Sequence, residues 1–221
     1  LSELRAGLRD ILGMDECEDQ VATGQVLHLD LIARVLKSCD DPDWELFPKL
    51  AHGVNIGIDS PLPRTPAVFE AKTKWKLDMD VEPGDMYRDN YKSVEPHIEK
   101  VRKLFVEEAK MGWMLELSED AAREKYGEKL VISALGVVEE PGKIRVVHDA
   151  SNGVHLNHRI RVQDQARCPG AGELRTVMRE RAEAGLKSFG ILGDVSKAHR
   201  RIKIREADWG FQACSLTPGH V

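Results

Sequence analysis

The stretch LVISALGVVEEPGKIRVVHDAS, residues 130–151, constrains the fold of this chain more than any other. Upstream of it, apolar residues recur at helical spacing. Within it, β-branched and apolar residues fill two blocks interrupted only by EEPGK. Pro141 and Gly142 are turn formers, and two such blocks around a turn read as an antiparallel hairpin. The layout is therefore helical first and mixed α+β afterwards.

In residues 1–50, Leu4, Leu8, Ile11 and Leu12 fit one helix face, and QVLHLDLIARVLKSC sets Val26, Leu29, Ile32 and Leu36 at helical spacing. DDPDWELFPKLAHG follows and ends in a glycine. Residues 53–92 carry Gly53, Gly57, Pro61, Pro63, Pro66, Pro83 and Gly84, the chemistry of an extended connection. SVEPHIEKVRKLFVEEAKMGW predicts a helix with Ile98, Val101, Phe105 and Ala109 on one face and Gly112 past its end. LSEDAAREKYGEK predicts a short helix capped by Ser118 and closed by Gly127. After the hairpin, HLNHRIRV is a third strand candidate. AGELRTVMRERAEAG predicts a helix with Leu174, Val177, Met178 and Ala182 inward and Gly185 ending it. SFGILGD predicts a buried strand, and RRIKIREADWGFQACSL two short strands around a turn at READ. There are no internal repeats.

Hydrophobic residues make up 42% of the 221 and charged residues 31%, so a packed core is feasible. Aromatics, at 5%, are scarce, and the core is expected to be aliphatic. No run approaches the roughly 20 apolar residues of a membrane helix. The opening LSELRAGLRD has no start Met and no basic-then-apolar leader, and with the ending SLTPGHV it suggests a fragment cut at both ends. Cys17, Cys39, Cys168 and Cys214 form no CxxC pair and read as reduced thiols of an intracellular protein, cytoplasmic or nuclear. His155 and His158 have no further ligands nearby and read as polar loop or strand residues. Net charge is −5, yet between 141 and 210 fourteen Lys and Arg face eight Asp and Glu. A basic segment in an acidic chain is the footprint of phosphate or nucleic acid, although solvated helix faces give similar counts.

Two segments carry candidate chemistry: GKIRVVHDASNGVHLN at 142–157 and FGILGDVSKAHRRIKIREADWGFQAC at 189–214. In the second, an apolar run ends in Asp194 and is followed by Lys197, His199, Arg200, Arg201 and Lys203. Asp194 is either a plain strand-ending acid or a carboxylate aimed at a metal ion beside a polyphosphate.

Together the segments resemble reverse transcriptases of the retroelement type. Lys143, Arg145, Val147, Asp149 and, after a longer gap than the family's, Leu156 and Asn157 match the fingers pattern K-x-R-x-V-x-D-x-x-x-L-N. Asp194, Ala198, Ile202, Ile204, Asp208 and Phe211 match the palm strand and the strand after it. The resemblance covers roughly residues 93–214. It implies an α+β fold: a helical or extended lead-in over 1–92, a fingers-like subdomain over 93–188, and the first strands of an incomplete palm over 189–221. It implies an RNA-directed DNA polymerase that, at full length, transfers nucleotides from dNTP to a primer 3′-OH on an RNA or DNA template, with Mg²⁺ or Mn²⁺ as cofactor and no membrane. It gives Asp194 and the backbone carbonyl of Val195 as metal ligands. Arg145, with Lys143, would meet the phosphates of the incoming nucleotide, and His199 would stack under its sugar. Asp149 and Asn157 would order the fingers near the template, with Arg159 and Arg161 along the nucleic-acid backbone. Each has a plainer alternative: an exposed strand Arg145, a turn Lys143, a surface His199, and local capping by Asp149 and Asn157. The family's second catalytic element, aromatic-x-Asp-Asp, is absent, so this chain alone is not expected to polymerise. The alternative is a decayed or domesticated relative that acts as a nucleic-acid or protein binding module.

Overall fold

The computed structural model describes residues 1–15, 21, 24–63, 69–71, 84–162, 164–190 and 192–221. Helix α1, Ser2–Leu12, ends at Gly13, which is left-handed at φ 62. Helix α2, Leu29–Ser38, buries Leu29, Leu31 and Ala33. A 3₁₀ turn at Pro42–Glu45 leads into α3, Leu46–His52. The helix expected from Gln25 starts only at Leu29, because Gln25 is engaged elsewhere. Its Oε1 accepts the Leu27 N–H at 2.9 Å and its Nε2 donates to the Arg201 carbonyl at 2.9 Å. A short strand β1, Phe69–Ala71, lies within the connection, most of which has no regular structure among the described residues.

The chain then builds its main body. A 3₁₀ segment at Lys92–His97 runs into α4, Ile98–Lys110, and Gly112 beyond it is left-handed at φ 71. Helix α5, Glu119–Tyr126, begins where Ser118 Oγ accepts the Ala121 N–H at 3.2 Å and stops at Gly127. The predicted hairpin forms: β2, Ile132–Glu140, pairs antiparallel with β3, Lys143–Asp149, from Ala134 opposite Asp149 to Glu140 opposite Lys143.

Strand alternation gives this ribbon two faces. On the inner face, Leu135, Val137, Ile144 and Val146 pack with Val94, Val101, Ile98 and Phe105 from α4 and its lead-in. The four that are buried, Val94, Val101, Leu135 and Val137, each contribute on the order of 1.5–3 kcal/mol relative to exposure, and the half-buried ones less. A second cluster joins Ala122 of α5 to Leu130 and Ile132, and a third gathers Ile58, Val131, Ala150, Val154, Leu156 and Phe211.

The segment before α4 is stitched along β2. The Ile132 N–H donates to Met86 O, Arg88 N–H to Ile132 O and Tyr91 N–H to Leu135 O, at 2.9–3.0 Å. Asn90 Oδ1 accepts the Leu135 N–H at 2.8 Å and Ser93 Oγ the Val137 N–H at 3.1 Å. Gly84 enters this seam where a Cβ would stand 2.2 Å from the Gly153 carbonyl oxygen.

Four expectations fail in the second half. HLNHRIRV is not a strand: Leu156–Arg159 is one helical turn, α6, entered through a left-handed His155 at φ 51. Burial of Leu156 in the third cluster fixes that turn. Strand β4, Asp164–Ala166, pairs antiparallel with β1. The predicted helix is present as α7, Ala171–Glu183, but its intended inner face is not covered: Leu174 is 63% exposed, and Val177, Met178 and Ala182 are exposed too. Helical period reveals that a face is apolar, not what lies on it. SFGILGD forms no buried strand over its described residues, and Phe189 and Leu192 are 86% and 100% exposed. A strand needs a partner ladder, and among the described residues none pairs with this segment.

Nor do two strands flank READ. Ile204 makes one parallel bridge to Val54, Glu206–Gln212 is 3₁₀, and β5, Ala213–Cys214, is a two-residue strand parallel to Ile132–Ser133. Asp208 imposes that geometry. Buried at 1% exposure, it accepts from Arg205 Nε at 2.7 Å, from Arg205 Nη2 at 2.9 Å and from the Ile56 N–H at 3.2 Å. The chain is α+β, with helices around a small mixed sheet ordered β3-β2-β5. Among the described residues no helix is long and apolar enough to cross a membrane.

Candidate nucleic-acid interface

The outer face of the hairpin gathers the residues of the K-x-R-x-V-x-D pattern. Lys143, Arg145, Val147 and Asp149 sit two apart on β3, so the pleat sends all four to the face that α4 does not cover. Opposite them stand Glu140, Val138, Gly136 and Ala134. Between Val147, Asp149 and Gly136 lies a shallow cavity of about 310 Å³, closed at its sides by Tyr91, Ser93 and Asn157. The Tyr91 ring lies over Gly136, where a Cβ would meet Tyr91 Cδ2 at 3.4 Å, an ordinary contact.

Asp149 organises this floor. It accepts from Tyr91 Oη at 2.5 Å, from Asn152 Nδ2 at 2.6 Å, and from the N–H groups of Ser151 and Asn152 at 3.0 and 3.1 Å. Desolvation alone would raise its pKa, but the hydrogen bonds outweigh it and hold the carboxyl well below the usual range. The same bond, aided by desolvation, pushes the Tyr91 hydroxyl up. Asn157 closes the loop, donating its backbone N–H to Ala150 O at 2.9 Å and Nδ2 to Ser151 Oγ at 2.8 Å. Asp149 and Asn157 therefore both shape the 150–157 loop and border the cavity.

Arg145 and Lys143 share one counter-charge. Arg145 Nη2 lies 2.6 Å from Glu140 Oε1 and Lys143 Nζ 3.1 Å from Glu140 Oε2. The hydrogen bond from Lys143 and the charges of both cations hold the Glu140 carboxyl below its usual range. Both cations are about two-thirds exposed, at 64% and 67%, so these ion pairs are weakly held.

The remaining predicted site residues lie apart. Arg159 packs its guanidinium over the Phe211 ring at 5.6 Å, and Arg161 donates its backbone N–H to Gly57 O at 2.6 Å, so both border the third apolar cluster. Asp194 and Val195 stand exposed in an irregular segment, and His199 is exposed in the 3₁₀ turn Ala198–Arg201. That turn is rooted on α4, where Lys197 Nζ and Arg200 Nη2 meet Glu108 at 3.3 and 2.8 Å. Helix α4 covers the ribbon's inner face, so the root of Asp194 and the fork of Arg145 lie on opposite sides of the ribbon. No hydrogen bond or ion pair joins Asp194, Val195 or His199 to Lys143, Arg145 or Asp149. Among the described residues no three His, Cys, Asp or Glu side chains come together as a metal group. One exposed carboxylate and one backbone carbonyl do not fit a two-metal centre.

Neither Tyr91, in a stretch that reads only as connection, nor Ser93, at the start of a predicted helix, carries a sequence signal for this site. Nor does the sequence mark Glu108 and Trp113 as partners of the 197–201 turn. Only Glu140 carried a signal, three residues before Lys143 across the turn. Comparison with protein-family models, with curated proteins and with solved structures returned no match.

Proposed function

We propose that this chain is the fingers and the first palm residues of a retroelement RNA-directed DNA polymerase, whose full-length form transfers nucleotides from dNTP to a primer 3′-OH. The observation that carries this is the outer face of β3, where Lys143, Arg145, Val147 and Asp149 line up beside a cavity that Asn157 completes. On this reading the phosphates of the nucleotide or template displace Glu140 from Arg145 and Lys143, and the Asp149–Asn157 loop shapes the floor beneath the template. Asp194, Val195 and His199 take their places only when further palm strands pair with the 188–196 segment. The divalent cation of the reaction, Mg²⁺ or Mn²⁺, would need carboxylates beyond those this chain gathers.

A second reading, a relative that only binds nucleic acid, is favoured by the isolation of Asp194. The test is to sequence the transcript beyond Val221 and express the longer product. The polymerase reading expects an aromatic-x-Asp-Asp between two apolar strands, with dTTP incorporation on poly(rA)·oligo(dT) that Arg145→Ala reduces at least tenfold. Absence of paired acids, or incorporation indifferent to Arg145→Ala, would refute it.

A further inference from the structure

The basic turn after Asp194 is occupied by the protein itself. Every described residue from 167 to 199 is exposed except Ser188, which is half-buried, so this stretch is an arm whose return to the body falls at the 197–201 turn. There, Glu108 takes both Lys197 and Arg200, and its own side chain is only 12% exposed. Trp113 is bracketed by Lys197 at 5.2 Å and Arg201 at 4.9 Å from its ring centre. Arg201 Nη1 also reaches the Gly24 carbonyl, which Trp113 Nε1 meets at 3.0 Å. Lys197 holds a left-handed backbone at φ 51, a conformation disfavoured for a side-chain-bearing residue.

We propose that Lys197, Arg200 and Arg201, with the Trp113 ring, form a binding site for single-stranded nucleic acid that Glu108 masks. The ligand chemistry follows from the groups present. Two arginines and a lysine beside a half-buried indole suit backbone phosphates and, once the turn opens and uncovers the ring, one stacked base. Glu108 occupies the place that a phosphate would take between Lys197 and Arg200. The Nε atoms of Arg200 and Arg201 are buried without a hydrogen-bond partner among the described residues, so the closed turn leaves donor capacity unused. Opening the turn would replace one carboxylate with a polyanion able to use those donors, at the cost of releasing the arm. The site rests on the proposal that the chain contacts nucleic acid, but it needs neither nucleotide nor metal.

Fluorescence anisotropy with a labelled 20-nucleotide oligo(dU) tests it. Glu108→Gln keeps the shape and removes the competing charge. It is expected to tighten binding about three- to tenfold and to steepen the salt dependence by roughly one to two phosphate contacts. Lys197→Gln with Arg200→Gln is expected to weaken binding in the wild-type background and to abolish the gain from Glu108→Gln. This pair keeps the test decisive should Glu108→Gln fail to fold, as monitored by circular dichroism. Binding by the wild-type chain that is indifferent to the Lys197/Arg200 pair, or no tighter with a folded Glu108→Gln, overturns the masked site alone. No binding by any variant overturns both the masked site and the nucleic-acid reading.

Discussion

Breaking the Arg205–Asp208 clamp should destabilise the body unequally, depending on which partner is removed. Arg205→Ala strands a carboxylate that is 1% exposed, with only the Ile56 N–H at 3.2 Å left to it. Removing one partner of a buried pair costs about 3–5 kcal/mol, and the surviving hydrogen bond argues for the lower end, about 3 kcal/mol. Asp208→Ala instead frees a guanidinium whose side chain is 36% exposed and which already has Asp59 at 3.4 Å. The chief loss is then the acceptor for Ile56 N–H together with part of the arginine bond, about 2 kcal/mol. The double variant should cost less than the sum by about 1–2 kcal/mol, because the two changes remove one shared interaction. At about 2–4 °C per kcal/mol for a chain of this size, Arg205→Ala should lower the Tm by about 6–12 °C. Urea melts followed by tryptophan fluorescence suit the question, since Trp209 Nε1 donates to Ile204 O at 2.8 Å beside the clamp. Strict additivity, or a larger cost for Asp208→Ala than for Arg205→Ala, would refute the asymmetry of burial on which this rests.

Three other outcomes are expected. The folded-state pKa of Asp149 is depressed, so its stabilisation is fully present above about pH 4 and is lost as pH falls through the folded value. In an NMR titration Tyr91→Phe should move that pKa up towards the ordinary carboxylate range, and a carboxyl already titrating near pH 4 in the wild type would count against it. Gly210→Ala places a Cβ 2.7 Å from Tyr126 Cβ and 2.9 Å from Lys129 O, groups with little room to yield. It should cost about 2–4 kcal/mol by thermal melt, and a change below 0.5 kcal/mol would be incompatible with that crowding. Burial pushes the Cys214 thiol up to about 11, while Cys39 and Cys168 are exposed. A disulfide-exchange reagent at neutral pH should therefore label Cys39 and Cys168 promptly and Cys214 only on unfolding; equal rates would show that Cys214 is accessible.

What the sequence disclosed was periodicity, and periodicity fixes element type where the chain supplies its own partner. The hairpin at 132–149 and the helices at 98–110 and 119–126 were readable because turn, cap and apolar face all agreed locally. The same logic placed α7 but could not say that Leu174 and Met178 would meet no cover. SFGILGD looked like a strand by composition, yet pairing is a property of two segments. HLNHRIRV became a turn because its loop is tied back through Asn157 to Ser151, a contact that no spacing announces. For the site, the two-residue spacing from Lys143 to Asp149 already implied a common face. The opposition of Arg145 and the root of Asp194 depended on which side of the ribbon Glu108 captured the arm, and that was invisible in one dimension.

The placement of β2 has a consequence for how the chain can be made. Val131, Ile132, Leu135 and Val137 give one short run a share in every apolar cluster, and that run is flanked in space by residues 86–93 and by 210–214. During synthesis the ribbon can zip as soon as Asp149 emerges, but its seam at Ile132 and Ser133 stays open until Cys214 has left the ribosome. Through that interval the nascent chain carries an unsealed sheet edge, the kind of surface that chaperones capture and that aggregation exploits. The two-residue strand β5 is thus a late stitch in the body, followed by the pairing of Gly219 and Val221 with Glu119 and Leu117, and a ribosome paused just before β5 would hold both seams open.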